Sequence, residues 1–418
     1  MSLVKNFEWK VVMRRIQNIG ICCLGLIAIR GLLFGDVEKV EYLTPPIITG
    51  KTIDQKIACT RPMREGRFNI SAEQKEGKVL VHCYGHGGSG CTTSWGSVFK
   101  AIELYEAKTA FQSVKEPIRV IGCGIIGLTA AIELHRRGYE VAGITASELY
   151  EIPSWKNAGY FALVSVDTDP EEQENLNTIG MCTFQEYKKI SEGTHPYISS
   201  ECARLVPVYC SADTNTGVED LEAKGLTPSR EYVSIDFGNG VVHHNFIKAY
   251  TYFMDTTRLM LQLCREVDRL GIPIEEREIA SFSDVKESVI FNCSGLGAKE
   301  LNKDEKMVAV RGHLANLNCQ AGTGHMEYMI YTKYKIDDQD GYVYMFPKCL
   351  QVNEYDTQGR HIYGTLGGTF IPGTDSLTEG ELKRLDKQEF KKLLDRNSMF
   401  FWGKPYSQVE LDVLKTSL

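Results

Sequence analysis

Apolar runs in this chain switch repeatedly between strand-like and helix-like spacing, and the order of the switches predicts an α/β fold. KVLVHCY, Lys78 to Tyr84, is a short and nearly unbroken apolar run of the kind a buried strand needs, and Ser94 to Ala107 then place Trp95, Val98, Ile102 and Tyr105 on one helical face. Arg119 to Ile121 finish a second strand, IIGLTAAIELHRR continues as a helix until Gly138, and YEVAGIT from Tyr139 to Thr145 is a third strand. A polar segment from Asp167 to Asn177 separates this unit from a mixed region ending near Gly240. The spacing next predicts one long helix from Phe246 to Leu270, closed by Gly271, followed by strands in IPIEERE and SVIFNCSG (Ser288 to Gly295). The remainder is β-rich, in VAVRGHLANL, YMIYTKYKI, YVYMFP and HIYGTLGGTF, before a charged helix from Leu377 to Leu394.

Two glycine-rich segments interrupt this pattern. In VIGCGIIGL, Gly122, Gly124 and Gly127 have the GxGxxG spacing between a strand and a helix. Gly122 permits the tight turn, Gly124 lets backbone amides approach a pyrophosphate, and Gly127 lets the helix pack on the strand. An anion would sit at the positive end of the helix, beside the amides of Ile125 and Ile126. The following strand should end on an acid for the ribose hydroxyls, but the chain reads Thr145, Ala146, Ser147, so either Ser147 or Glu148 takes that place. The second segment, YGHGGSG at Tyr84 to Gly90, lies upstream of the first.

With 418 residues the chain is long enough for two domains. A net charge of -7, with no clustered basic face, argues against nucleic acid. Thirteen dispersed cysteines without a CxxC pair fit a reducing, cytoplasmic setting. His82 and His86 have no third ligand nearby, so no metal site is expected. The apolar run Ile19 to Ile29, after Lys10, Arg14 and Arg15, leaves two readings: a buried or interfacial helix, or weak membrane attachment.

Taken together, GCGIIG, SWKNAG (Ser154 to Gly159), NCSG, RGH (Arg311 to His313), YMFP, TLGGTF, RPMR (Arg61 to Arg64) and YGHGGSGCTTSWG resemble the D-amino acid oxidase family of flavoproteins. The resemblance covers roughly Thr60 to Phe370 and is densest at the motifs. In that family the RP and GHGG segments close the chain; here they precede the dinucleotide loop, which implies a circularly permuted member. The implied fold is a Rossmann-type FAD-binding domain (77–164 and 244–300) with a mixed-sheet substrate domain (51–76, 165–243 and 301–418), residues 1–50 being an extension of no assigned role. The strand before the GHGG loop is expected beside the first nucleotide-binding strand.

The resemblance implies oxidative deamination of a D-amino acid by FAD, with oxygen as electron acceptor, and it admits a homodimer. By the same resemblance Arg61 forks onto the substrate carboxylate, Tyr344 meets that carboxylate, and the Gly88 carbonyl accepts from the substrate amine. Tyr342 stands in for a second tyrosine at a position where this chain has Asp340. Gly85, Gly87, Gly88, Ser89, Gly90 and Thr92 would pass the flavin ring, and Ser154, Asn157, Ala158, Gly159, Ser294 and Gly295 would complete its surroundings. Phe370 replaces the arginine of acidic-substrate members, favouring a neutral substrate; Lys333 and Lys335 are read as solvated face. The segment from Lys348 to Arg360 is an insertion suited to a lid or a partner surface. Oxidation of glycine- or sarcosine-type amines on the same scaffold, and an interaction protein without turnover, are the competing readings.

Overall fold

A computed structural model describes residues 39–109, 116–150, 152–163, 170–317, 326–336, 340–348 and 364–409. The N-terminal apolar run and the proposed insertion beyond Lys348 lie outside these residues.

An edge strand β1 (Lys39–Tyr42) leads through β2 (Ile53–Arg64) to a hairpin of β3 (Asn69–Lys75) and β4 (Lys78–Tyr84). Its two-residue turn, Glu76-Gly77, has positive φ at both positions (51° and 74°), the geometry that matches strand twist. Helix α1 (Gly90–Thr109), β5 (Ile118–Ile121), α2 (Ile125–Arg136), β6 (Val141–Ala146) and the one-turn α3 (Pro153–Lys156) follow. Next come α4 (Pro170–Ser191), β7 (Ala203–Ser211), the short α5 (Glu219–Ala223), β8 (Glu231–Asp236) and β9 (Val242–Met254). After α6 (Thr256–Arg269), β10 (Ile274–Glu276), β11 (Val289–Asn292) and the short α7 (Ala298–Leu301), the chain enters β12 (Met307–Leu317). It closes with β13 (Met329–Lys333), β14 (Tyr342–Phe346), β15 (Gly364–Gly367), β16 (Ile371–Pro372) and α8 (Glu379–Trp402).

Six strands form one sheet in the order β10-β6-β5-β11-β4-β3, parallel except for β3. Its central strands are apolar on both faces because both faces are covered. Val79, Val81, Val120, Val289 and Phe291 join the core beneath α1 and α2, while the alternate residues Leu80, Ile121 and Ile290 pack on Phe282, Val285 and Leu301. Each fully buried side chain of this size stabilises by about 1.5–3 kcal/mol. The larger sheet runs β1-β8-β9-β7-β13-β14-β15-β12-β16, with β2 also paired to β12. One face, including Val343, Met345 and Leu366, lies under Leu393, Leu394, Phe400 and Phe401 of α8. The opposite face of β14, with Tyr344 and Phe346, joins the first core, so the two sheets meet on the side where the candidate site lies.

Three sequence expectations change. Phe246 to Leu270 is not one helix: β9 continues to Met254 and α6 begins only after Asp255, whose side chain accepts the Arg258 amide as N-cap. Nor does β4 lie beside β5, because β11 sits between them, with Val289 paired to both Val79 and Ile118. The division at 77 and 244 does not follow the sheets, since β3 belongs to the smaller sheet and β9 to the larger.

Candidate active site

The first glycine loop leaves β5 at the carboxyl end of the parallel strands and enters α2. Gly122 has a φ of 106°, and a Cβ there would stand 2.3 Å from the Cys293 carbonyl oxygen. At Gly127 a Cβ would fall 1.9 Å from the Gly122 carbonyl, so the helix start packs on its own loop. Gly124 meets only Ser154 Oγ, at 3.2 Å. The side chains of Ile125 and Ile126 are buried, so these residues offer a ligand their amides; the Ile125 amide donates to Ser154 Oγ at 3.1 Å. The helix N-terminus is not capped by Gly124, its N-cap residue. A loop that a Cβ would obstruct, joined to helix amides, fits a dinucleotide phosphate.

The second loop reaches the first. A Cβ on Gly90 would contact Ile125 Cγ2 at 3.6 Å, and Asn157 bridges the two by donating from Nδ2 to the Gly88 carbonyl at 3.1 Å. Asn157 Oδ1 also accepts the Gly159 amide at 2.9 Å, which fixes the Asn157–Ala158–Gly159 turn. A carbonyl oxygen has two lone pairs, so Gly88 can accept from a substrate amine as well. Ser89 and Thr92 lie at the start of α1, where the Ser89 carbonyl accepts from Thr93. Gly85 and Gly87 approach Arg64 and Met63 of β2, and Gly295 approaches Pro62. Ser294 is turned inward, donating from Oγ to Asn292 Oδ1 at 2.7 Å. At the end of β6, Ser147 and Glu148 are both exposed, and Glu148 accepts the amides of Leu149 and Tyr150.

Of the two arginines in RPMR, Arg64 is paired with Asp304 at 2.8 Å. Arg61 instead spans the front of Gly312: a Cβ there would fall 2.6 Å from Nη1. Its Nη1 donates to the Thr369 carbonyl at 3.1 Å, and its guanidinium carbon stands 5.8 Å from the Phe370 ring centre. At Gly88, whose φ is 102°, a Cβ would lie 2.9 Å from Arg61 Cδ, so the arginine stem and the second loop touch. Tyr344 lies flat over Gly367, where a Cβ would come within 1.7 Å of its ring. Burial raises the Tyr344 pKa and the Arg61 charge opposes that rise, so the phenol remains a donor at neutral pH. Tyr342 stacks on Tyr331 at 5.5 Å and is 37% exposed, which puts it at the rim; Asp340 is exposed.

Two side chains here were not distinguished by sequence. Tyr331 pairs across the strands with Tyr344 and feels the Arg61 charge, although burial still drives its pKa upward. Lys348 is 1% exposed. Its Nζ donates to the carbonyls of Trp155 (3.2 Å) and Asn157 and to Thr256 Oγ1 (2.6 Å), so it clamps the turn that bridges the glycine loops. The only prior signal for it was a lysine directly after an apolar strand.

Acid-base candidates are few. His86 is buried, stacked on Phe68 and 3.1 Å from Ser97 Oγ, and burial pushes its pKa down to about 4. Burial pushes the Cys91, Cys123 and Cys293 thiols up to about 12, so none is a thiolate nucleophile at neutral pH. Among the described residues no three His, Cys, Asp or Glu side chains gather as metal ligands, and no helix is long and apolar enough to cross a membrane.

A D-amino-acid oxidase from Rubrobacter xylanophilus is 27% identical over 213 residues, covering 47% of this chain and 57% of that protein's length. The chain thus spans little more than half of this curated relative. Among solved structures, L-amino acid deaminase from Proteus myxofaciens, in complex with anthranilate, aligns with a TM-score of 0.38 and 10% identity over 76% of this chain and 64% of that one. An FAD-dependent oxidoreductase from Pseudomonas aeruginosa aligns at 0.37 and 12%, over 71% and 76%. The family model for FAD-dependent oxidoreductases (DAO) matches residues 118–412, most of the chain and all of the first glycine loop. The chain belongs to this family of enzymes, whose cofactor is FAD.

Proposed function

We propose that this protein is an oxidase that deaminates a neutral D-amino acid, on a circularly permuted form of the family fold. The observation that carries the reading is the half-buried Arg61 guanidinium, set beside the neutral Tyr344 phenol and against the loop that carries Gly88. The permutation is supported by the order of the parts. Arg61 and YGHGGSG lie upstream of residue 118, where the family match begins, yet Gly90 meets Ile125 of the first glycine loop and Arg61 packs on Gly88.

Arg61 binds the substrate carboxylate through two parallel N–H donors, and Tyr344 adds a hydroxyl donor to the same group. The Gly88 carbonyl accepts from the amine, so three contacts fix the direction of the Cα–H bond. Phe370 at the mouth offers no cation to a substrate side chain, which favours a neutral one. FAD would be held by the two glycine loops and would supply the two-electron acceptor for the Cα hydrogen, with oxygen as the final oxidant, so that the products would be hydrogen peroxide and an imine that hydrolyses to a 2-oxo acid and ammonia. No side chain is required to carry a proton, consistent with a histidine and thiols that are buried and neutral.

Peroxide release tests this reading across D-alanine, D-methionine, D-aspartate, L-methionine, glycine and sarcosine. The neutral D-amino acids are expected to turn over fastest, and Arg61→Ala to lose about 10²–10³-fold in kcat/KM while retaining FAD. Full turnover in Arg61→Ala, or preference for D-aspartate or sarcosine, would overturn it.

A further inference from the structure

We propose that Asp386, His313 and Thr369 form a positioning relay that sets the direction of the Arg61 guanidinium and hence the affinity for the substrate carboxylate. The inference rests on the reading of Arg61 as the carboxylate clamp.

Thr369 lies in the loop after β15, and its carbonyl receives the hydrogen bond from Arg61 Nη1 at 3.1 Å. What holds that carbonyl in place is the threonine side chain. Its Oγ1 accepts the His313 backbone amide at 2.8 Å and also stands 2.8 Å from His313 Nδ1. On the other side of the fully buried imidazole ring, Nε2 is 2.9 Å from Asp386 Oδ1 on α8. Asp386 is itself forked onto Arg311, with Nε at 3.1 Å and Nη2 at 2.8 Å.

The proton positions in this chain of contacts follow from its ends. Although burial pushes the Asp386 pKa up, the hydrogen bonds from Arg311 and His313 hold it below the usual range, so it is an acceptor only. His313 Nε2 must then carry the proton, which leaves Nδ1 as a lone pair. The Thr369 hydroxyl donates to that lone pair, and its oxygen remains free to accept the His313 amide. Each donor has one acceptor, so the loop carrying the Thr369 carbonyl has a single bonded arrangement. The phenyl ring of Phe390 meets the imidazole edge-on at 4.9 Å and helps keep it upright. None of these polar contacts touches either glycine loop, so the relay acts on Arg61 alone.

The test uses the FAD-loaded full chain. Benzoate binding is read from the perturbation of flavin absorbance, and anaerobic reduction by D-alanine is followed by stopped flow. Thr369→Val and Asp386→Asn are each expected to raise the benzoate Kd and the D-alanine KM about tenfold, with the limiting reduction rate within about threefold and FAD retained. Thr369→Ser keeps the hydroxyl and is expected to stay within about twofold of the original protein. Unchanged Kd and KM in Thr369→Val and Asp386→Asn would overturn the relay, as would equal losses of FAD and of limiting rate. If the original protein bound benzoate no better than Arg61→Ala, the clamp reading would fail first and the relay with it.

Discussion

Single residues at this site act mostly by what they leave out. Gly122→Ala would drive a methyl group into the Cys293 carbonyl at a φ that side chains avoid, so the purified variant is expected to carry far less flavin per chain. Gly380→Ala, on α8 with nothing within 4 Å, is the matched control and is expected to keep it. Lys348→Met preserves length but leaves the Trp155 and Asn157 carbonyls without their ammonium donor. A loss of about 1–3 kcal/mol in FAD binding is expected, measured as the rise in the FAD dissociation constant; unchanged affinity would remove Lys348 from the cofactor turn. Arg61, Tyr344 and the loop glycines were legible as candidates because each lies in a local string of recognisable spacing. Tyr331 and Lys348 were not, because a strand tyrosine and a lysine after a strand have no distinguishing local pattern; their roles come from partners far away in the chain.

At the scale of elements, sequence periodicity failed where a strand is buried on both faces. Residues 251–257 are all buried, and at the end of β9 Tyr252, Phe253 and Met254 are apolar at consecutive positions, so strand alternation is lost and a helical template also accepts the segment. The local signal for the break is Asp255, which ends the strand and caps α6. Asp255→Ala is expected to cost about 1 kcal/mol, seen as a lower urea midpoint with an unchanged slope. By contrast, KVLVHCY matched β4 to the residue, since a turn bounds it on one side and a glycine loop on the other.

For the whole molecule, the order of sheet strands constrains how the proposed permutation would be connected. The connection through α1 carries the chain from β4 past β11 to β5, so the link spans one intervening strand. Moving residues 39–115 to follow residue 409 through a flexible linker is expected to yield a chain that still binds FAD; failure to fold would argue that the present order is needed. The same core governs acid stability. Burial pushes His86 down to about 4 and His195 to about 3, so both are neutral in the fold while the unfolded chain protonates them below about 6.5. The unfolded state therefore binds more protons in this window, and stability present above pH 6.5 should fall as pH drops toward 4, by roughly 3 kcal/mol from His86 alone. A neutral replacement, His86→Gln, is expected to flatten the decline in unfolding free energy between pH 6.5 and 4.

The central claim is that two glycine loops and Arg61 converge on one bound flavin. The most direct measurement is the absorbance spectrum of the purified protein before and after anaerobic D-alanine, for the original chain and for Arg61→Ala. Flavin bands that bleach in the original and persist in Arg61→Ala are expected. A protein that cannot take up flavin, or one whose flavin bleaches equally in both, would contradict the account.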